Sequence, residues 1–353
     1  MNKIPEVQIA ERTIGPKSRP FIVAEMSGNH NQSLERALEL VNAAAQAGAH
    51  ALKIQTYTAD TMTLDREDGP FFIRDKDSLW KGSSLYRLYQ QAATPYDWHK
   101  PIFDRCKELG MIGFSSPFDT TAVDFLESLD TPAYKIASPE IIDLALVSKA
   151  ASTGKPLILS TGMATAAEIE DAVWAAKNAG CRQIVLLKCT TSYPAPPTDA
   201  NILTIAHMRD LFQLQVGLSD HTLGVGVAVA SVALGASVIE KHFTLSRSDG
   251  GVDSAFSLEP AEFRSLVIET ERAWQSLGQV FYGPTESEKK SLGHRRSLYI
   301  VKALDVGEIL SASNVRSIRP GYGLAPKYLE RIFGKKVNQK IPAGTPLSWD
   351  MIG

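Results

Sequence analysis

A chain of 353 residues has room for one large domain, a small companion and a sizeable buried core. Hydrophobic residues make up 44% and charged residues 22%, an ordinary globular composition, and a formal charge of −2 argues against nucleic acid or an anionic membrane surface as partner. Cys106, Cys181 and Cys189 form no CxxC pair and are odd in number, the opening stretch lacks the apolar core of a signal peptide, and no apolar run approaches the ~20 residues of a membrane span, so a cytoplasmic protein with reduced thiols is expected.

In chain order, eight short β-rich apolar runs are expected as strands: 21–26 (FIVAEM), 51–56 (ALKIQT), 111–116 (MIGFSS), 133–138 (AYKIAS), 156–161 (PLILST), 183–190 (QIVLLKCT), 215–220 (QVGLSD) and 238–243 (VIEKHF). Amphipathic segments separate them, among them SLERALELVNAAAQAG, TAVDFLESLD, TAAEIEDAVWAAKNAG and GVAVASVALGA, several ending in an Ala-Gly or Leu-Gly suited to a helix C-cap. Eight strands alternating with helices fit a (β/α)8 TIM barrel. A doubly wound open sheet fits less well, since no G-x-G-x-x-G turn follows the first strand. The long segment between the second and third strands, with DGPFFIRDKDSLWKGSSLYRLYQQAATPYDWH, reads either as a functional lid at the C-terminal face or as helical decoration.

Past FYGPTESEKK the texture changes to short strand-like runs with Gly and Pro turns. The expected division is a barrel over 1–282, a linker over 283–290 and a small β-rich domain over 291–353. A core that small is marginal alone, so the domain is expected to dock on something, a partner subunit included.

Lumen-facing positions of a barrel alternate along each strand, and here the strand ends carry polar groups: Glu25; Lys53 and Gln55; Ser115 and Ser116; Lys135, Ser138 and Glu140; Ser160 and Thr161; Lys188 and Thr190; Ser219 and His221; Glu240 and His242. Singly, each serine is an ordinary cap and each histidine an ordinary core residue. Together they are a site. Lys53, Lys135 and Lys188 at one mouth would need counter-anions, supplied in part by Glu25, Glu140 and Glu240 and otherwise by a multiply charged ligand such as a phosphate. His221 and His242, ending the seventh and eighth strands, could share a divalent ion, with Glu25, water or substrate completing the shell; Mn2+, Fe2+, Co2+ and Zn2+ stay open and Mg2+ is admissible. A lysine Schiff base competes with metal-assisted carbonyl activation, and the paired histidines favour the latter.

FIVAEMSGNHNQSLERAL, ALKIQTYTADTMTL, FSSPFD, YKIASPE, LILSTGMAT, LLKCTTSYPAPPTDAN, GLSDHTLG and VIEKHFTL closely resemble the sialic acid synthase family, in order and along essentially the whole chain. Within it, KIQTYTADTMTLD, SLWKGSSLYRLY and TPYDWHKPIFDR look like the pseudaminic acid branch rather than the N-acetylneuraminate branch. The resemblance implies a phosphoenolpyruvate-condensing barrel and a C-terminal antifreeze-protein-like (SAF) domain. It implies attack of phosphoenolpyruvate on an N-acetylated amino sugar bound to a divalent metal (Mn2+, Mg2+ or Co2+), giving a nine-carbon α-keto acid and phosphate. By the same resemblance His221 and His242 are metal ligands. Lys53, Ser115 or Ser116, Lys135, Ser138, Ser160 and Gly162 cradle phosphoenolpyruvate, with Ser219 an adjoining candidate. Glu25 and Glu140 handle protons or water, while Tyr193 and Asp253 contact the sugar. Arg319 reaches the partner's site in a domain-swapped homodimer. A sugar-phosphate sensor without chemistry is the reading from another class.

Overall fold

The computed structural model describes residues 4–76 and 78–353. They form two compact units, Met1–Gly278 and Gln279–Gly353.

The first unit is a closed barrel of eight parallel strands: β1 (Phe21–Glu25), β2 (Ala51–Thr56), β3 (Ile112–Pro117), β4 (Tyr134–Ile136), β5 (Leu157–Ser160), β6 (Ile184–Cys189), β7 (Gln215–Asp220) and β8 (Val238–His242), with β8 closing on β1. Each strand is buried on both faces, which is why these segments read as near-continuous apolar runs. Strand β4 is shorter than expected. The chain leaves it after Ile136 and enters a 3-10 turn at Pro139–Ile142, since proline cannot continue a ladder, and this swings Ser138 and Glu140 over the mouth.

The helices follow their sequence signals. Leu34–Ala47 starts at Ser33, whose hydroxyl accepts from the Arg36 amide, and stops at Gly48 in the left-handed region (φ 91°). Ala166–Asn178 starts with a capping box between Thr165 and Glu168. The apolar stripes of these helices pack with the outward residues of the strands (Ile22, Leu52, Leu159, Leu186, Ile239) in one continuous core. The lumen holds a second core of Phe21, Val23, Ala51, Ile112, Phe114, Ile158, Val185, Leu187 and Val238.

Sequence reasoning did not find the hairpin that joins this lumenal core. Val7–Ile9 pairs antiparallel with Arg12–Ile14, and Val7, Ile9 and Ile14 pack against the lower lumenal side chains, plugging the N-terminal end of the barrel. Only one end is thereby left for polar chemistry.

In the second unit, Ser297–Ile300 pairs with Val315–Ile318, and most of the rest is turns and isolated bridges around a core of Leu298, Ile300, Leu304, Leu310, Val315, Ile332, Val337, Ile341 and Leu347. The segment expected as a linker carries one helical turn, Glu286–Lys289, capped by Thr285 and Glu288.

If the hairpin is a plug, Ile9→Ala should cost about 2–5 kcal/mol of barrel stability in urea unfolding, the range for a fully buried isoleucine cut to alanine. A loss below about 0.5 kcal/mol, as at an ordinary surface site, would show that the hairpin carries no core.

Candidate active site

Strand pleating decides which side chains meet. In the lumenal layer above Val23, Phe114 and Leu187, alternate positions bring in Glu25, Lys53, Ser116, Lys135, Ser160, Ser219 and Glu240. All of them are buried. Lys53 Nζ lies 2.6 Å from Glu25 Oε2 and 3.7 Å from Glu240 Oε1, and donates to Ser116 Oγ at 3.2 Å. Lys135 Nζ lies 3.4 Å from Glu240 Oε1, which also accepts from Ser219 Oγ at 3.2 Å. Burial raises the Glu25 carboxyl out of the ordinary range against the pull of Lys53. For Glu240 burial acts the same way, but Lys135 and Lys53 together outweigh it and hold the carboxyl low.

Two expectations are corrected here by alternation along a strand. Ser115 points out of the lumen, bonding to Thr56 Oγ1 at 2.6 Å and to the Ile54 carbonyl at 3.0 Å, so Ser116 is the lumenal serine. Lys188 also alternates out; its half-buried Nζ donates to the Cys189 carbonyl and to Thr190 Oγ1, so two lysines, not three, share the lumen with the carboxylates. Arg319 lies in the second unit, exposed, just past Val315–Ile318.

At the rim, the Gly162 amide donates to Ser138 Oγ at 3.0 Å. A Cβ at Gly162 would lie 2.2 Å from Thr191 Oγ1 and 2.8 Å from Ser138 Oγ, so a larger residue there would have to push both hydroxyls aside. Ser160 Oγ, in the lumenal layer, is buried without a hydrogen-bond partner.

The imidazoles of His221 and His242 are neighbours, with ring centroids 5.3 Å apart and planes tilted by 58°, and Tyr193 packs on His221 at 4.5 Å. His221 Nδ1 lies 2.9 Å from the Thr190 carbonyl, an oxygen that can only accept, which leaves Nε2 of the neutral ring as the acceptor. His242 is held neutral by burial first, then by the positive groups around it, and its Nδ1 is buried without a hydrogen bond, 3.9 Å from Asp253 Oδ2. Burial lowers the proton affinity of His221, but Cys189 and the Thr190 carbonyl outweigh it and raise it above that of an ordinary imidazole, so a divalent cation would have to displace a proton there before the ring offered the free nitrogen that such an ion takes. Glu25, a candidate to complete such a shell, has Oε2 2.6 Å from Lys53 Nζ and accepts from Gln55 Nε2 at Oε1 at 2.9 Å. Among the described residues no group of three or more His, Cys, Asp or Glu is placed to hold a metal ion.

Beside the histidines lies a cavity of about 490 Å³ lined by Ser27, Gln55, Glu140, Tyr193, His242 and Asp253, and by a largely apolar set of Tyr57, Met62, Ile73, Trp80, Leu85, Tyr89 and Phe118 that also includes the polar Asp75 and Ser78. The long segment after β2 therefore contributes directly to the site, pinned there by Trp80 Nε1 donating to the Val252 carbonyl at 2.9 Å.

The chain matches the NeuB family over residues 40–282 and the SAF domain over 295–353. The chain belongs to the NeuB family. It is 43% identical over 335 residues to pseudaminic acid synthase of Helicobacter pylori, covering 94% of this chain and 98% of that protein. It is 36% identical over 337 residues to N,N'-diacetyllegionaminic acid synthase of Legionella pneumophila, covering 94% of each. Among solved structures, the N-acetylneuraminic acid synthetase of Leptospira borgpetersenii, in complex with citrate, superposes with a TM-score of 0.74 at 31% identity, covering 84% of this chain and 98% of that one.

NeuB-family enzymes condense phosphoenolpyruvate with a sugar, and this chain is a phosphoenolpyruvate-dependent nonulosonic acid synthase. Beside its site lie Gln55, a strand-end polar group given no role from sequence, and Ser27, which sequence reasoning did not single out. Gln55 joins Glu25 to Ser27 with donations at 2.9 and 3.2 Å, and Ser27, held in the left-handed region (φ 48°), donates to Asp253. Gln55 was visible as a polar lumenal residue; nothing local marked Ser27.

Burial pushes the Glu140 carboxyl up from 4.5 to about 7, outweighing its own backbone hydrogen bond and the pull of Lys135. A raised folded-state value means that the folded chain holds this proton more tightly, so stability present below pH 4.5 is lost as pH rises towards 7. Glu140→Gln should remove that loss. Its stability relative to wild type is expected to climb between pH 4.5 and 7 and then level off, as read by urea midpoints across pH; parallel profiles would show that Glu140 is not a perturbed acid.

Proposed function

We propose that the chain condenses phosphoenolpyruvate with 2,4-diacetamido-2,4,6-trideoxy-L-altrose and water, giving pseudaminic acid and phosphate. The observation that carries the choice of sugar is the 43% identity to the H. pylori enzyme across nearly both whole chains, against 36% to the legionaminic acid synthase. The largely apolar set of side chains on the cavity wall favours a 6-deoxy sugar, with a methyl group at C6, over N-acetylmannosamine.

In this reading the C3 carbon of phosphoenolpyruvate bonds to the aldehyde carbon of the open-chain sugar, water oxygen adds at C2, and the bond from C2 to the phosphate oxygen breaks. Lys53, Ser116, Lys135, Ser138, Ser160, Ser219 and the Gly162 amide bind the phosphate and carboxylate of phosphoenolpyruvate. Tyr193, Asp253 and Gln55 orient the sugar. Glu140, near neutrality, can give or take a proton at the mouth, and Glu25, whose proton affinity burial raises against the pull of Lys53, can take one beside Lys53. His221 and His242 would hold a divalent ion (Mn2+, Mg2+ or Co2+), which when bound withdraws charge from the aldehyde oxygen. The apolar walls exclude water and strengthen each of these interactions.

We further propose a cytoplasmic, domain-swapped homodimer in which Arg319 enters the partner's site. Supporting it, Ile142, Met163, Leu203 and Leu223, which follow β4 to β7 at the C-terminal face, are exposed apolar side chains. The division expected from sequence, with a barrel to 282 and a SAF domain from 291, belongs to this proposal. The described residues include no helix long and apolar enough to cross a membrane.

The test is phosphate release on incubation with phosphoenolpyruvate and each candidate sugar. Turnover is expected with the trideoxy-altrose; turnover with only N-acetylmannosamine or the legionaminate precursor would replace the substrate, and binding without phosphate release would favour a sensor. His242→Ala should abolish turnover with the fold intact, and Lys53→Met should raise KM for phosphoenolpyruvate at least ten-fold. Full activity in thorough EDTA, or an unchanged KM, would remove the metal or the cradle from the account. A chain ending at Gly278 should fold but lose turnover; full activity would remove the swapped arginine.

A further inference from the structure

The two histidine-bearing strands are joined by an ion pair that takes no part in the chemistry above. Backbone pairing of β7 with β8 ends at Asp220 opposite Lys241, one residue short of both histidines. Side chains take over there. Both residues alternate out of the lumen, their side chains 2% and 0% exposed, with Lys241 Nζ 2.7 Å from Asp220 Oδ2. The same ammonium donates to the Thr222 carbonyl, and Asp220 Oδ1 accepts from the Thr222 amide at 2.9 Å and its hydroxyl at 2.8 Å. The residues on either side of His221 are thus tied to the residue before His242.

The other restraints on these histidines run elsewhere. Thr190 holds the His221 ring, and the Ala195 amide its carbonyl; the Leu258 amide holds the carbonyl of His242. Stability does not require charge at this place, because a buried ion pair replaced by apolar residues of similar volume is often neutral or better. What a hydrogen-bonded pair supplies and apolar contact does not is direction. Both Asp220 oxygens are engaged, so it is neither a spare ligand nor a spare base.

We propose that the Asp220–Lys241 pair is a positioning element that sets the separation and facing of the His221 and His242 imidazoles, and through them the divalent-cation affinity of the two-histidine seat. This rests on the reading of the two histidines as that seat. Neither residue touches substrate or metal.

The experiment is Mn2+ binding by the full-length chain without substrates, followed by loss of the free-ion EPR signal, with thermal unfolding alongside. Wild type, Lys241→Met, the double variant Asp220→Leu with Lys241→Met, and His242→Ala are compared. Both pair variants should bind Mn2+ 10- to 100-fold more weakly, the usual effect of removing a group that orients a ligand. Lys241→Met should also unfold at lower temperature, because it strands a buried carboxylate, while the double variant stays near wild type. A merely structural pair would move the unfolding temperature and leave the affinity of the folded protein unchanged. If the double variant does not fold, Asp220→Asn, which keeps shape and loses charge, takes its place with the same expected weakening. Wild-type affinity in the folded pair variants overturns the proposal. No saturable Mn2+ binding by wild type, or undiminished binding by His242→Ala, overturns the seat on which it rests. Sugar turnover is not a readout, so an error in the substrate leaves the outcome standing.

Discussion

The molecule is organised around four charged side chains in a closed lumen. Glu25, Lys53, Lys135 and Glu240 are all buried, and an isolated charge there would be costly by several kcal/mol. They are tolerable only because each ammonium finds a carboxylate within 4 Å and serine hydroxyls fill out the hydrogen bonding. That condition fixes the register. Glu25 opposite Lys53 on β1 and β2, and Glu240 on β8, meet only if the strands pair as they do; a slip of one residue would turn an ammonium outward among the apolar helix faces. The apolar layer beneath and the N-terminal hairpin under it keep water from reaching the cluster from below.

Much of this was legible in the sequence because period-two alternation carries information even in fully buried strands. Eight runs, their order and their polar ends follow from pattern, and the observed strands differ from the expected ones mainly by a residue or two at their ends. The exceptions have physical reasons. Ser115 and Ser116 are adjacent and equally polar, so only the pleat distinguishes a cradle hydroxyl from one that bonds Thr56. Lys188 looks like Lys135 in sequence, yet it lies one step off the lumenal phase set by Leu187 and Cys189. The hairpin at Val7–Ile14 escaped because two three-residue strands give no periodicity long enough to read.

The cavity shows a different limit. Its polar side chains beside the histidines come from strand ends, which a barrel predicts, whereas its largely apolar set comes mostly from the long segment after β2, whose fold no local pattern dictates. Trp80 reads in sequence as one aromatic among several. In the fold its indole N–H reaches the Val252 carbonyl, far away in the chain, and its ring lies 5.9 Å from that of Tyr193. Loops close over barrel mouths through such non-local contacts, and there substrate choice is free to vary while the strand-end chemistry stays put.

The charge balance in the lumen bears on how an anion enters. With two ammonium groups matched by two carboxylates, a phosphate or carboxylate arriving from the mouth meets no idle cation. It must share Lys53 and Lys135 with Glu25 and Glu240. Lys53 is the chief group holding the Glu25 proton affinity down against burial, so an anion that draws Lys53 away leaves Glu25 more strongly basic. If the lumenal lysines take the anion as proposed, its binding favours proton uptake at Glu25. A neutral Glu25 next to a lysine-held anion would restore the balance that makes the buried cluster tolerable, with the proton held beside Lys53.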